Sequence, residues 1–173
     1  MATGDSLLLL GPSNGTPPAT LYATFGVMDG ASTPAEAILI LKYDDTTQKY
    51  IDFYCVMPEH YDGGGITLTV MFSANDVASD VIEWQAAFRR IADDSEDLDS
   101  TAHTYVYNAV VATVPSVIGE VAYDNITFTN GAEMDSVVAG DYFILRVTRD
   151  PTPSSGTNAA GNGEIHILHM KET

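Results

Sequence analysis

The sequence predicts an all-β protein, a sandwich of two antiparallel sheets with an extended N-terminal arm, and three observations support this prediction. Apolar and polar residues alternate with a period of two, which is typical of half-buried strands. Turn residues divide the chain at even intervals into roughly eight to ten strands, a number that favours a jelly roll. Val, Ile, Thr, Tyr and Phe are abundant, and these residues favour strands. We therefore expect a single domain over residues 21–173, preceded by an arm at residues 1–20.

The first twenty residues differ in composition from the rest. Glycine and proline interrupt the arm and leave an apolar segment of Leu7, Leu8, Leu9 and Leu10 between them. An arm this short cannot bury four leucines against itself. Two interpretations stay open: the segment is the first strand of the same domain, or it adds as an extended strand to a neighbouring subunit.

The strand pattern is clearest in the first half of the domain. At residues 66–72, Ile66, Leu68, Val70 and Phe72 occupy alternate positions, and the polar or smaller residues lie between them. Residues 81–91 repeat this rhythm and place Trp84 on the inner face. Three further strands are predicted before them, at residues 21–27, 37–43 and 50–57.

The second half continues the same pattern. We predict strands at residues 104–113, 120–129, 142–148 and 164–171, with the Asn130-Gly131 dipeptide as a tight turn. Two short segments, residues 75–79 and 134–139, are candidates for helical turns. The pattern contains no alternation of strand and long helix, so a parallel α/β sheet is not expected.

The charge excludes several classes of partner. Seven Lys and Arg residues against 24 Asp and Glu residues give a net charge of −17, and the first basic residue is Lys42. Nucleic-acid binding depends on neutralising phosphates with basic side chains, so neither nucleic acid nor an anionic membrane is an expected partner. The sequence also contains no signal-peptide pattern before Leu7 and no apolar run of membrane-spanning length.

Acidic and histidine residues offer weak candidates for a metal site. The acidic stretch at residues 93–99 does not match an EF-hand loop, because Leu98 and Thr104 stand where the loop requires Gly and Glu. A solvated loop is the favoured interpretation. His166 and His169 are three residues apart on a predicted strand, which places them on opposite faces. No metal or cofactor is therefore predicted.

Catalytic residues are not expected either. The single Cys55 lies between apolar residues and is interpreted as a small buried side chain. Glu83 could pair with another carboxylate for glycosidase chemistry, but its position on the outer face of a strand indicates a solubilising role. We therefore predict that the protein is not an enzyme.

The pattern of tyrosines indicates carbohydrate binding as an alternative function. Tyr50 and Tyr54 share one strand face with Asp52 between them, and Tyr105 and Tyr107 share another. Aromatic rings on a sheet face can stack against sugars, although tyrosines at such positions more often pack across strands.

Two stretches carry a resemblance to a known class of protein. The first is VMPEHYDGGGI at residues 56–66, followed by the strand with Trp84, Phe88 and Arg89. The second is TFTNGA at residues 127–132, leading to AGDYFILRVTRD at residues 139–150. Together they resemble small jelly-roll proteins encoded in the structural-gene regions of tailed bacteriophages.

The resemblance implies a structural protein of a phage virion, made in the host cytoplasm. It implies a virion component such as a capsid decoration protein or a tail-fibre head, and of these we favour the capsid decoration protein. We expect a homo-oligomer, with a trimer favoured, that binds the major capsid protein or another virion protein. The arm of Leu7, Leu8, Leu9 and Leu10 would then dock on a neighbour. The alternatives are a carbohydrate- or receptor-binding β module of a tail fibre, or a filament subunit that donates its arm as a strand.

Overall fold

A computed structural model of the chain describes residues 4–75 and 80–173. The described residues form two antiparallel sheets that pack face to face, which confirms the predicted jelly-roll-like sandwich. Their strands are β1 (Ser6–Leu10), β2 (Gly15–Thr16), β3 (Thr24–Asp29), β4 (Ala37–Tyr43), β5 (Lys49–Val56), β6 (Ile66–Ala74), β7 (Val81–Ile91), β8 (Asn108–Thr113), β9 (Ala122–Phe128), β10 (Tyr142–Asp150) and β11 (Gly163–Glu172).

The first sheet has the strand order β3-β4-β11-β6-β9, and β1 also pairs with β11. The second sheet has the order β2-β5-β10-β7-β8. Short 3-10 turns occur at Pro12–Asn14 and Ala132–Met134. Within the described parts of the chain, no helix is long and apolar enough to cross a membrane.

The core lies between the two sheets and follows the alternation of the sequence. Phe72 on β6 and Trp84 on β7 are fully buried, and their ring centroids are 5.5 Å apart. Phe88 packs edge-on against Phe128 of the first sheet at 5.0 Å. Cys55 is also buried in this core, as predicted, and burial raises the pKa of its thiol to about 11.

Two predicted segments differ from the structure, and a third lies mostly outside the described residues. The strand predicted at residues 104–113 begins only at Asn108, because the residues before it lie across the outer face of the second sheet. The 134–139 segment is not helical: Asp135 and Ser136 have φ values of 51° and 57°, which end the 3-10 turn. Most of the predicted turn at residues 75–79 lies outside the described residues.

The strand β1 belongs to the sheet of its own domain. It pairs with the second half of β11, Leu8 opposite Met170 and Leu10 opposite Leu168. Leu7 and Leu10 are 8% and 7% exposed and join the core, whereas Leu9 is 65% exposed. The structure thus shows the first of the two interpretations of the arm, and a further contact of this strand with a second chain stays a prediction.

Leu10→Ala is expected to lower the free energy of unfolding by about 2 kcal/mol or more, because it removes a buried side chain and leaves a cavity. Leu9→Ala on the same strand is the matched control and is expected to change stability by less than about 0.5 kcal/mol. Urea unfolding followed by Trp84 fluorescence measures both variants. Equal effects of the two substitutions would contradict the burial of this strand in the domain.

Candidate functional site

The outer face of the second sheet carries a group of tyrosines. Tyr50 and Tyr54 come from β5, Tyr142 comes from the neighbouring strand β10, and Tyr105 and Tyr107 come from the segment before β8. We call these five residues the tyrosine face. Strand alternation explains the grouping, because residues two or four apart on β5 point to the same side of the sheet.

Arg146 lies at the centre of the tyrosine face. It is paired across the strands with Asp52, which is 4% exposed, and donates two hydrogen bonds of 2.7 Å to its carboxylate. The guanidinium carbon lies 4.2 Å from the ring centroid of Tyr105 and 5.5 Å from that of Tyr50. The bidentate ion pair therefore fixes the arginine plane, and two rings pack on that plane.

Two pairs of rings form the exposed part of the surface. Tyr54 and Tyr142 are stacked with centroids 6.5 Å apart and an interplanar angle of 27°. Their side chains are 49% and 38% exposed, so both rings are accessible from solvent. Tyr105 and Tyr107 form a second pair at 6.0 Å, and both are half-buried.

Burial favours the protonated form of three hydroxyls in the tyrosine face, those of Tyr54, Tyr105 and Tyr107. Burial raises the pKa of Tyr107 to about 12, against the opposing effect of the Arg146 charge. Burial also raises the pKa of Tyr105 and, together with the Asp52 carboxylate, that of Tyr54. Each neutral hydroxyl can both donate and accept a hydrogen bond.

The loop after β7 is held at the border of this surface. Arg89 donates a 3.0 Å hydrogen bond to Glu96 and a 3.4 Å bond to the carbonyl of Thr101. Glu96 belongs to the acidic stretch at residues 93–99, whose other carboxylates are exposed. In residues 4–75 and 80–173, no three His, Cys, Asp or Glu side chains are arranged to hold a metal ion.

Glu83 differs from the prediction. It points outward, as expected, but it is only 5% exposed, because the loop after β10 covers it. Burial opposes ionisation, yet the backbone N–H of Ser154 and the amide of Gln85 donate to the carboxylate and lower its pKa. A carboxyl group with a lowered pKa is poorly suited to act as a general acid.

The prediction for the two histidines is wrong. A β-bulge between Ile165 and Ile167 interrupts the alternation of β11, so His166 and His169 both lie on the outer side of the first sheet. His166 forms a 2.9 Å hydrogen bond with Ser73, and His169 forms a 2.7 Å bond with Ser6. Each ring therefore has its own serine partner rather than a shared ligand.

The structure brings together the four tyrosines that the sequence singled out. Sequence reasoning missed Tyr142 and Arg146 as members of the same surface. The pairing of β5 with β10 places both residues on this surface, and that pairing cannot be inferred from the sequence of either strand alone. Once that pairing is known, Arg146 stands opposite Asp52, and Tyr142 is a diagonal neighbour of Tyr54.

Comparisons with known proteins support the fold. No protein-family model matches the sequence, and no curated protein matches it. Two solved structures that are similar are xylan-binding domains of Xyn10C from Paenibacillus barcinonensis. The CBM22-1 domain has a TM-score of 0.53 and 9% identity, with 99% of this chain and 97% of that chain covered. The CBM22-2 domain has a TM-score of 0.53 and 10% identity, with 96% and 99% covered. At such low identities the structural similarity shows the fold alone, a β-sandwich.

Proposed function

We propose that this protein is a non-enzymatic carbohydrate-binding module and that its tyrosine face holds an uncharged glycan chain. The observation that carries the proposal is the cluster of five tyrosines on one sheet face, with the Tyr54 and Tyr142 rings stacked and accessible. A sugar has apolar C–H faces and a rim of hydroxyls. A tyrosine offers a matching ring and a hydroxyl that can donate or accept.

The charges of the site favour an uncharged ligand. Arg146 and Asp52 neutralise each other through two hydrogen bonds, so the face presents mainly rings and neutral hydroxyls. The ion pair also limits the movement of Arg146 and of the rings packed on it. A surface that is ordered before binding loses less conformational entropy when a ligand binds.

The comparisons add support at the level of the fold. Two xylan-binding domains have the same sandwich, so the fold is compatible with glycan binding. The role as a capsid decoration protein, the major capsid protein as partner and the trimeric state stay predictions. A glycan-binding module on a tail fibre would unite the phage resemblance with the tyrosine face.

The test is a glycan-array screen, followed by titration of the best neutral oligosaccharide against variants. Tyr54→Ala and Tyr105→Ala are each expected to weaken binding about tenfold, because each removes a whole ring and with it the apolar contact of that ring with the sugar. Tyr54→Phe is expected to lose less affinity, since it keeps the ring.

Tyr123→Ala is the matched control. Tyr123 is 66% exposed but lies on β9 of the first sheet, away from the tyrosine face. Its replacement is expected to leave the affinity unchanged. If no glycan binds, or if Tyr123→Ala weakens binding as much as Tyr54→Ala does, the proposed function is wrong.

A further inference from the structure

A concave region lies at the edge of the sandwich, next to the Tyr50 end of the tyrosine face. It has a volume of about 380 Å³, and the residues that line it include Tyr22, Lys42, Asp44, Lys49 and Asn162. These residues come from the segment before β3, the strands on either side of the β4–β5 turn, and the loop before β11. The main chain of Tyr22 pairs with that of Tyr50, which connects this pocket to the tyrosine face.

The pocket concentrates the lysines of a strongly acidic chain. The sequence has three lysines, and two of them, Lys42 and Lys49, line the pocket. Lys49 forms no ion pair within 4 Å among the described residues. Lys42 is 31% exposed and lies 4.0 Å from Glu164, at the limit of an ion pair.

The arginines offer no comparable charge. Arg89, Arg90 and Arg146 each pair with a carboxylate at 3.0 Å or less. Arg149 is fully buried and donates to main-chain carbonyls. The pocket is therefore where positive charge is both accessible and concentrated in the described part of this chain.

The carboxylate in the pocket is engaged by its own turn. Asp44 accepts hydrogen bonds from the backbone N–H and hydroxyl of Thr46 and from the N–H of Thr47, at 2.6–2.9 Å. All three bonds end on Oδ1 of Asp44. The Thr46 hydroxyl, the two backbone N–H groups and the charge of Lys49 lower the pKa of this carboxyl, so Asp44 is a negative charge beside Lys49. The two lysine ammonium groups are the positively charged donors that the pocket offers a ligand.

The rim of the pocket carries an unusual backbone conformation. Leu21 has a φ of 55°, which is sterically unfavourable for a residue with a branched side chain. Two backbone hydrogen bonds to Tyr50 hold it there. The N–H of Tyr50 donates to the carbonyl of Leu21, and the N–H of Ala23 donates to the carbonyl of Tyr50. Leu21 and Tyr22 are each about half exposed. Strain of this kind is often retained at binding sites.

We propose that this pocket binds an anionic substituent of a saccharide, a carboxylate or a sulfate ester, between Lys42 and Lys49, with the Tyr22 ring as an apolar wall. The proposal rests on the proposed carbohydrate-binding function and specifies the ligand further. Because the whole chain carries a charge of −17, a polyanion would be repelled. The expected ligand is therefore a largely neutral glycan with isolated acidic groups. Its neutral part lies on the tyrosine face.

The experiment is a titration of the full chain, followed by NMR, with three probes: methyl glucoside, methyl glucuronide and glucose 6-sulfate. The glucuronide or the sulfate is expected to bind about fivefold more tightly than the glucoside or better. The shift changes are expected at Tyr22, Lys42 and Lys49. The two anionic probes distinguish a carboxylate ligand from a sulfate ligand, and added salt is expected to weaken binding of either.

Lys49→Met is the decisive variant, because Lys42 also lies beside the buried Glu164 and its loss could alter the fold. Lys49→Met is expected to remove the preference for the anionic probe. Lys171→Met, the third lysine, lies on β11 outside the pocket and is expected to have no effect. Thermal unfolding of each variant verifies that it is folded.

The inference is overturned if the glucoside binds as tightly as both anionic probes, or if Lys49→Met keeps the preference. It is also overturned if no probe shifts the pocket residues. The titration of a neutral oligosaccharide against Tyr54→Ala tests the tyrosine face separately. A failure of the pocket is thus distinguishable from a failure of the proposed function.

Discussion

Replacing Arg149 with methionine is expected to lower the free energy of unfolding by more than about 4 kcal/mol. Arg149 lies on the inner side of β10 and is fully buried. Its guanidinium donates to the carbonyls of Tyr43 at 3.3 Å and Gly161 at 2.6 Å, to the side-chain oxygen of Asn158 at 3.0 Å, and to the carbonyl of Ala159. Methionine fills much of the volume but donates no hydrogen bond, and each buried acceptor left without a donor costs about 1–3 kcal/mol.

Urea unfolding followed by the fluorescence of Trp84 measures this effect, because Trp84 is the single tryptophan and is fully buried. Arg90→Met is the control. Its side chain is 37% exposed, and loss of its ion pair with Asp141 is expected to cost less than about 1 kcal/mol. Arg149→Lys is expected to fall between the two, since an ammonium reaches fewer of the carbonyls. An Arg149→Met variant within about 1 kcal/mol of the native protein would contradict this role.

The sandwich could be predicted because the alternation of apolar and polar residues that specifies it lies within single segments of the sequence. Alternation along residues 66–72 and 81–91 identifies the inner faces without any knowledge of strand order. The inward position of Trp84 and the burial of Cys55 follow from the same rule, and the structure shows both. Such patterns are reliable when one face of a sheet is buried and the other is polar.

Features that depend on contacts between distant residues could not be predicted. The buried Glu83 is covered by Ser154, which is 71 residues away in sequence. The bulge at His166 shifts the side-chain alternation by one residue, and no local signal distinguishes it from a regular strand. Residues 104–107 look like the start of a strand, but the Tyr105 ring packs on Arg146 and the Tyr107 ring lies against that of Tyr105.

Only part of the tyrosine face could be predicted, because the rest depends on contacts between distant residues. The pairs Tyr50 with Tyr54 and Tyr105 with Tyr107 follow from strand alternation within one segment. The assembly of both pairs around one arginine requires the register of β5 against β10. The composition of the first twenty residues directed attention to Leu7–Leu10, whereas the proposed glycan surface lies on the other sheet.

The second large effect is expected for Arg146→Met, which leaves the Asp52 carboxylate buried without its two hydrogen bonds. Removing one partner of a buried ion pair typically costs about 3–5 kcal/mol, because the remaining charge is neither solvated nor paired. The substitution also removes the cation on which Tyr105 and Tyr50 pack, so the rings are expected to become mobile and glycan affinity to fall.

A double-mutant cycle separates the ion pair from the packing of the rings. Asp52→Asn in the Arg146→Met background removes the buried charge and is expected to restore part of the lost stability. Glycan affinity is expected to stay low in the same double variant, because the rings still lack Arg146 beneath them.

Arg90→Met is the control. Its partner Asp141 is 2.6 Å away, but the arginine is 37% exposed, so a loss of stability below about 1 kcal/mol is expected. If Arg146→Met and Asp52→Asn have additive effects on stability, Asp52 is solvated rather than buried, and the ion pair does not organise the tyrosine face.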